Sequence, residues 1–589
     1  MKIKIAIIDN GVWTEHPEFK QRKELIQVKT NYSVIPRRDN GHGTAIYSII
    51  SKGCPDAEII NFDICDGEEV EENVLCDCLE DILNNYDIDI INISMGILVC
   101  DSSNRLKSLC DKLFNKRIII VSAFANCGAI SYPAAFNTVI GVTSSNECRR
   151  TDEFTLYDDC IVNIGAKGNL QRVVWNGPEY IMVSGNSFAC AHVTVQVAKF
   201  LQSGKICFNE IISEFRKIAI YDEEKKERVV SNKYNFKIDK AVLFPFNKEM
   251  HALLRYEELL DFEIVGVYDV KYSSLVGTDT SHIMNAEVSA YKVRNIETID
   301  WEEFNTIILG HLHKLSSLLP HQYIDNIIKI AISKNKNIYS YDDISHNYSY
   351  DKLFCPAIDD RHLPHFRMGK LFNVNKPVLG IFGTSSAQGK FTLQLELRKR
   401  FIEGGYRVGQ IGTEPNSLLF NMDYAFPIGY SSSVSLWGHD VIRYVNYMIH
   451  DLCDNGNVDI VIVGSQSSVI PYDTSNLSMY PVKQYNFLLG VQPDAIILCI
   501  NPYDDIRYIH RSINFLESTV ECKVIALCMF PMDIKSDWSA LYGQKQNLTI
   551  ERYLKLKEVI ITTMGLPVFL LGNNNEMEQL YSCVIDFFS

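Results

Sequence analysis

A chain of 589 residues is too long for one hydrophobic core and should hold about three or four compact units at roughly 150 residues each. Hydrophobic residues at 47% and charged residues at 22% exclude the high-charge, aromatic-poor composition of disordered chains. A formal charge of -15, from 57 Lys plus Arg against 72 Asp plus Glu, repels polyphosphate backbones and argues against a dedicated nucleic-acid binder.

No run of 18 apolar residues occurs, and the first apolar stretch, Ile5 to Ile8, runs straight into Asp9. Neither a membrane span nor a signal peptide is expected. The seventeen cysteines are odd in number and scattered, the pattern of idle thiols in a reducing cytoplasm. Cys76-Asp77-Cys78 has no second pair to complete a tetrahedral set, so no metal site is expected.

From residue 1 to about 205, short β-branched runs (Ile3 to Ile8, Ile90 to Ile93, Ile118 to Val121, Val139 to Val142) alternate with helix-compatible segments, which predicts a parallel α/β sheet. Residues 206–248, with the charged run Glu223 to Arg228, read as a linker or extension. A small Rossmann-like α/β domain is expected over 249–372, with strands at Phe262 to Tyr268, Thr306 to Leu309 and Asn337 to Tyr339 and a helix at Tyr323 to Ser333. A third α/β domain fills 373–589, with strands at Pro377 to Phe382, Arg407 to Ile411, Ile460 to Val463, Ala495 to Ile500 and Val524 to Met529. The fold class is therefore α/β throughout.

Three segments of the first domain carry chemistry. Ile5 to Val12 is a buried-type strand ending in Asp9, at the edge where parallel sheets place functional groups. Asn40-Gly41-His42-Gly43-Thr44 sets a histidine between two glycines at a helix start. Ser184-Gly185-Asn186-Ser187-Phe188 opens an apolar helix with a serine, where the first N–H groups favour a developing anion. Singly each is an ordinary cap or loop, but Asp, His and Ser together, each in fitting context, form a nucleophile, a base and its orienting carboxylate.

That order resembles the subtilisin-like serine peptidases, the subtilases, over about the first 200 residues. Asp9-Asn10-Gly11-Val12 followed by His16-Pro17 is similar to the family's aspartate segment, and Ala123-Phe124-Ala125-Asn126 ahead of Tyr132-Pro133-Ala134 is similar to its oxyanion-asparagine segment. Ser94-Met95-Gly96 looks like the substrate-binding edge. The resemblance implies Ser187 as nucleophile, His42 as base, Asp9 as its orienter and Asn126 as oxyanion donor. Within the serine segment Asn186 stands for the family's Thr, Phe188 for Met and Ala191 for Pro, and Lys167 precedes the glycine of the family's A-P-G loop. None of these departures removes a reacting group, while loss of the proline removes a fixed backbone angle. Because the Asp9 strand begins near residue 3, a compact intracellular form without a folding propeptide is expected.

In the third domain, Gly383 to Thr392 follows a strand and precedes a helix, the context in which loop N–H groups and a lysine surround phosphate oxygens. Thr384, Gly389, Lys390 and Thr392 are the candidate ligands, with the first glycine of the usual pattern replaced by Thr384 and the hydroxyl residue one place late. The strand at Ile460 to Val463 ends without an acid, which argues against hydrolytic turnover of ATP. Glu414 and Asp423 are candidate Mg²⁺ ligands that read more simply as loop carboxylates, and the pairs His311 with His313 and His362 with His365 read as surface histidines.

Residues 249–589 resemble a two-domain family, some of whose members act as D-amino-acid N-acetyltransferases. Stretches such as Arg407 to Glu414 and Met422 to Tyr430 look like those of bacterial peptide-maturation proteins. The family's E-G-Q-G-S loop appears as Gly464-Ser465-Gln466-Ser467-Ser468, its glutamate lost.

The expected function is that of a cytoplasmic serine endopeptidase fused to a module that binds ATP, GTP or CoA. It would mature a ribosomally made peptide by leader removal, with a precursor peptide and other maturation enzymes as partners and neither nucleic acid nor membrane. The rivals are a peptide-modifying acyltransferase or ligase run by the P-loop half with the peptidase domain as specificity partner, and a noncatalytic peptide-binding scaffold.

Overall fold

The computed structural model describes residues 2–20, 26–29, 41–64, 70–98, 103–157, 161–204, 207–220, 233–284, 291–313, 315, 319–364, 369–429, 432–454, 456–534 and 545–589. Asn40, the charged run 223–228, His365 and Tyr430 lie outside the described residues. The chain forms two units, Met1–Glu227 with His365–Asn373, and Arg228–Pro364 with Val374–Ser589.

The first unit contains β1 (Lys4–Asp9), β2 (Gln27–Lys29), β3 (Glu58–Asp63), β4 (Ile90–Ile93), β5 (Ile119–Ala123), β6 (Val139–Ser144), β7 (Phe154–Leu156) and β8 (Ile164–Ala166). They form one sheet in the order β2-β3-β1-β4-β5-β6-β8-β7, parallel except for β7 against β8. β1 is an uninterrupted apolar run because both its faces are covered. Ile5 and Ile7 enter the core under α1 (Gly41–Gly53), while Ala6 and Ile8 enter the opposite core with α2 (Glu72–Asn85) and α3 (Ser103–Asn115). The small hairpin of β9 (Gln171–Val174) and β10 (Tyr180–Val183) precedes α4 (Asn186–Ser203). Cys76 and Cys78 point into the core from α2, and burial pushes both thiols up, Cys76 to about 11.

The stretch expected to be a linker or extension contains a helix and a strand. Residues Phe208, Ile211, Ile212 and Phe215 recur at helical spacing and bury one face of α5 (Phe208–Ile218) in the first core. Further on, β11 (Lys240–Phe244) pairs with strands on both sides in the second unit. The expected boundary at 372 also shifts, because Gly369–Asn373 belongs to the first unit. There the buried Lys370 ammonium donates to Ala134 O at 2.6 Å, Val139 O at 2.9 Å and Asn163 Oδ1 at 2.8 Å.

In the second unit β11 joins β12 (Glu263–Asp269), β13 (Arg294–Asn295), β14 (Thr306–Leu309), β15 (Asn337–Ser340) and β16 (Leu353–Phe354) in the parallel order β13-β12-β11-β14-β15-β16. Its short helix α6 (His251–Arg255) follows β11. A seven-stranded parallel sheet holds β17 (Val378–Gly383), β18 (Val408–Gly412), β19 (Tyr424–Ala425), β20 (Ile460–Val463), β21 (Ala495–Ile500) and β22 (Lys523–Met529). Beyond a hairpin of β23 (Met532–Ile534) and β24 (Lys545–Asn547), β25 (Val568–Leu570) closes the sheet order β19-β18-β20-β17-β21-β22-β25. The two sheets share a core in which Tyr339 and Tyr341 cluster with Leu395, Leu419 and Phe420. Strand β17 lies between β20 and β21, so its loop sits where the strand order reverses and ligands bind in such sheets.

Candidate functional site

Asp9 ends β1, the strand that has β3 on one side and β4 on the other. It is buried, and His42 Nδ1 lies 2.8 Å from its Oδ1 and 3.0 Å from its Oδ2. The helix carrying His42 is stitched to the strand end by two bonds: Gly43 N donates to Asn10 Oδ1 at 2.8 Å, and Trp13 N donates to Thr44 Oγ1 at 2.8 Å. A Cβ on Gly43 would lie 2.1 Å from Gly11 O, so only glycine lets α1 approach closely enough. Burial lowers the His42 pKa, but the charge of Asp9 and its hydrogen bond outweigh that and leave the imidazole raised.

Ser187 is buried in the first turn of α4, and the His42 ring packs 5.6 Å from Phe188, the next residue. Among the described residues the imidazole and the Ser187 hydroxyl are not hydrogen-bonded to each other. Such bonds commonly tighten only when substrate is present. At this end of α4 the helix dipole favours negative charge such as would develop on an attacked carbonyl.

Asn126 is exposed after β5, and its Oδ1 accepts the Asn186 backbone N–H at 2.8 Å. With Oδ1 engaged, Nδ2 is the end of the carboxamide left to donate. The Asn186 side chain fixes this arrangement: its Oδ1 accepts from Ser144 N at 2.8 Å and Thr143 Oγ1 at 3.2 Å, and its Nδ2 donates to Phe124 O at 2.9 Å and Ala125 O at 3.3 Å. One residue thus joins the ends of β5 and β6 to the start of α4. Ser94, just past β4, is buried, accepts from Asn92 Nδ2 at 2.8 Å and reaches Ser187 O at 3.4 Å. The Met95 carbonyl accepts from Ser122 Oγ at 3.5 Å, and beyond Gly96 the backbone of Ile97 bridges antiparallel to Tyr132.

In the second unit the loop after β17 runs into the helix Lys390–Glu403 with Gly389 at φ +74°. The buried Lys390 Nζ donates to Ser385 O at 2.7 Å and Ser467 O at 3.2 Å, and burial lowers its pKa to about 8. Thr392 lines a cavity beside this loop. Thr384 does not: its buried hydroxyl bonds to Asp504 and accepts from Gln388 Nε2 at 2.6 Å, so it shapes the loop from behind. Asp504, which follows β21 and also accepts Asn501 N at 2.8 Å, is a carboxylate at the loop that the end of β20 does not supply. Glu414 faces the cavity and is raised by burial, whereas Asp423 is committed to Gln410 N at 2.8 Å. His311 is not a plain surface histidine, since its Nδ1 lies 2.6 Å from Asp342 Oδ1.

On the first unit, Asp9, His42 and Ser187 in that chain order, with the aspartate closing an interior strand of a mostly parallel sheet, have the organisation of a subtilase-type serine endopeptidase domain. The comparisons agree with that class: residues 1–213 match the subtilase family, Peptidase S8, and residues 365–577 match the P-loop domain of DUF1611, a domain of unknown function. The chain thus carries a subtilase domain at its N-terminus and a DUF1611 P-loop domain after it.

Minor extracellular protease Epr of Bacillus subtilis (strain 168) is 27% identical over 218 residues, covering 34% of this chain and 32% of Epr. Thermitase of Thermoactinomyces vulgaris is 25% identical over 218 residues, covering 35% of this chain and 77% of thermitase. The chain therefore spans about a third of Epr's length but most of thermitase. A solved DUF1611 family protein from Anabaena variabilis covers 59% of this chain and 100% of its own at 16% identity and a TM-score of 0.42.

Proposed function

We propose that this chain is a serine endopeptidase acting on a peptide or protein substrate. Ser187 Oγ attacks the scissile carbonyl and gives its proton to His42 Nε2. Asp9 holds Nδ1 and stabilises the imidazolium, and Asn126 Nδ2 with the Ser187 backbone N–H receives the oxyanion. His42 then returns the proton to the departing amine, and water repeats the sequence on the acyl-enzyme. The observation that carries this reading is the Asp9–His42 pair on the interior strand, packed against the helix that Ser187 opens. Labelling by a serine-directed fluorophosphonate tests it: wild type should label at Ser187, and label retained in Ser187→Ala would overturn it.

The finer reading is maturation of a ribosomally made peptide in the cytoplasm. It rests on the likeness of Arg407 to Glu414 and Met422 to Tyr430 to peptide-maturation proteins. The cysteines Cys54 and Cys190, buried as free thiols, suit a reducing compartment. No helix among the described residues is long and apolar enough to cross a membrane. Gly389, Lys390 and Thr392 hold the phosphate of a nucleotide or of CoA in this reading, because the Gly389 conformation turns the loop into the helix start and Lys390 supplies the positive charge. Co-expression with candidate precursor peptides, followed by mass spectrometry, tests the maturation role.

A further inference from the structure

Within the second unit a cavity of about 630 Å³ is lined on one side by the phosphate-loop residues Ser386 and Gly389 and on the other by His311 and Tyr341 of the small sheet. Lys248 and Arg255, flanking the start and end of the α6 region, add positive charge to the same walls. Glu249 and Glu414 line the same cavity, with burial raising the Glu414 pKa, so the walls carry both signs and the Lys248 and Arg255 side is the one that favours an anionic ligand.

The histidine is held in place by the sheet register. β14 and β15 pair with Leu309 opposite Ser340, so His311 and Asp342 leave the sheet side by side two residues later. Asp342 Oδ1 holds His311 Nδ1 at 2.6 Å while its Oδ2 accepts Leu312 N at 2.7 Å, which leaves Nε2 as the ring nitrogen for the cavity. The groups acting on the imidazole are Asp342, Glu249, Glu414 and the Tyr341 ring, with Lys248 and Lys390 behind Glu414. Burial lowers the His311 pKa, but the Asp342 hydrogen bond and the carboxylates around it leave it raised.

A second observation points to a ligand. Tyr341 and Asn416 are buried in the cavity wall, 0% and 1% exposed; the Asn416 side chain interacts with the Tyr341 hydroxyl, but neither that hydroxyl nor the Asn416 carboxamide oxygen has a hydrogen bond of full geometry to a protein group. Buried polar atoms of this kind are costly unless something occupies them.

The geometry points to a second ligand site here, for a small phosphate-bearing molecule: the loop takes the phosphate, and His311, oriented by Asp342, donates from Nε2 to an oxygen further along the same ligand. Tyr341 and Asn416 complete the ligand's hydrogen bonds. This inference rests on the phosphate-loop reading above and adds to it a residue pair from a different sheet, independent of the peptidase triad.

Isothermal titration of the full chain with ATP and with CoA, in two buffers of different ionisation enthalpy, tests it. At least one probe should bind with proton uptake between pH 7 and 8, and Lys390→Ala should abolish binding. His311→Gln should weaken binding about 10- to 100-fold, the loss of one charge-assisted hydrogen bond, and reduce the proton uptake, the remainder coming from Lys390. Tyr341→Phe, which deletes only a hydroxyl, gives a second reading, about fivefold weaker binding. If binding depends on Lys390 but His311→Gln and Tyr341→Phe bind like wild type, the inference fails while the phosphate loop stands. If neither probe binds wild type at millimolar concentration, both fail.

Discussion

The backbone N–H of Asn186 donates to Asn126 Oδ1 at 2.8 Å, so the residue immediately before the nucleophile fixes the orientation of the oxyanion carboxamide. Because the Asn186 side chain also bonds Phe124, Ala125, Thr143 and Ser144, it locks the loop that carries Asn126. Asn126→Ala should lower kcat by about 10²- to 10³-fold with little change in KM. Asn186→Ala should lower kcat by about tenfold, again with KM nearly unchanged, since it loosens the donor without removing it. In the double variant the losses should be less than additive, because both act on one donor. Steady-state kinetics on a peptide substrate reads all three.

The pH dependence of activity follows from the base. Attack needs neutral His42, and Asp9 raises its pKa, so the acid limb of kcat/KM should have its midpoint above 6.5. Asp9→Asn should impair turnover and move that limb downward, measured as a pH–rate profile.

Among the described residues of the first unit, two histidines push the pH dependence of stability in opposite directions. His192, buried with Nε2 at 2.7 Å from Gln171 Oε1, is lowered by burial to about 4. The unfolded chain therefore binds a proton that the fold refuses, and stability should fall as pH drops from about 6.5 to 4, by roughly 3 kcal/mol. His42 has a raised folded pKa, so its contribution is present below the unfolded value and is lost as pH rises through the folded one. Denaturant melts of wild type and His192→Gln between pH 4 and 7 should show wild type losing stability relative to the variant as pH falls, because the variant lacks the acid-sensitive loss.

Lys370 is a buried cation satisfied by two backbone carbonyls and the Asn163 carboxamide. Lys370→Met should destabilise the first unit by about 2–3 kcal/mol, the scale of losing charge-assisted hydrogen bonds to buried acceptors. A fragment ending before residue 365 should melt lower than the same unit in the full chain, read by a thermal melt monitored at fluorophosphonate-labelled Ser187.

Gly389 combines φ +74° with a close approach, since a Cβ there would lie 2.3 Å from Leu571 Cδ2. Gly389→Val should deform the loop and remove the thermal shift that ATP or CoA gives the full chain, while leaving peptide hydrolysis intact.

The sheet strands were legible because parallel strands buried on both faces are written as unbroken β-branched runs. Thr306–Leu309, Ile460–Val463 and Ala495–Ile500 lie where their runs place them. The proposed triad is suggested by the sequence for a different reason: each member sits in a distinctive local setting, a strand end, a glycine-flanked helix start and a helix whose first turn carries the serine. Asn186 and the His311–Asp342 pair are not, because their partners lie 31 to 62 residues away and only register and packing bring them together. With the β14–β15 register in hand, the histidine pair follows from counting two residues past each strand. Within 206–248, read from its mixed composition as a linker or extension, the spacing of Phe208, Ile211, Ile212 and Phe215 forms the buried face of α5, a short run that the surrounding polar residues make hard to see.

The most direct test of the central claim is the hydrolysis rate of one peptide by wild type, Ser187→Ala, His42→Ala and the double variant. If Ser187 and His42 act as one unit, each single change should reduce kcat by about 10⁶-fold and the double variant should be little worse. Proteolysis surviving Ser187→Ala, or fully additive losses in the double variant, would contradict the account.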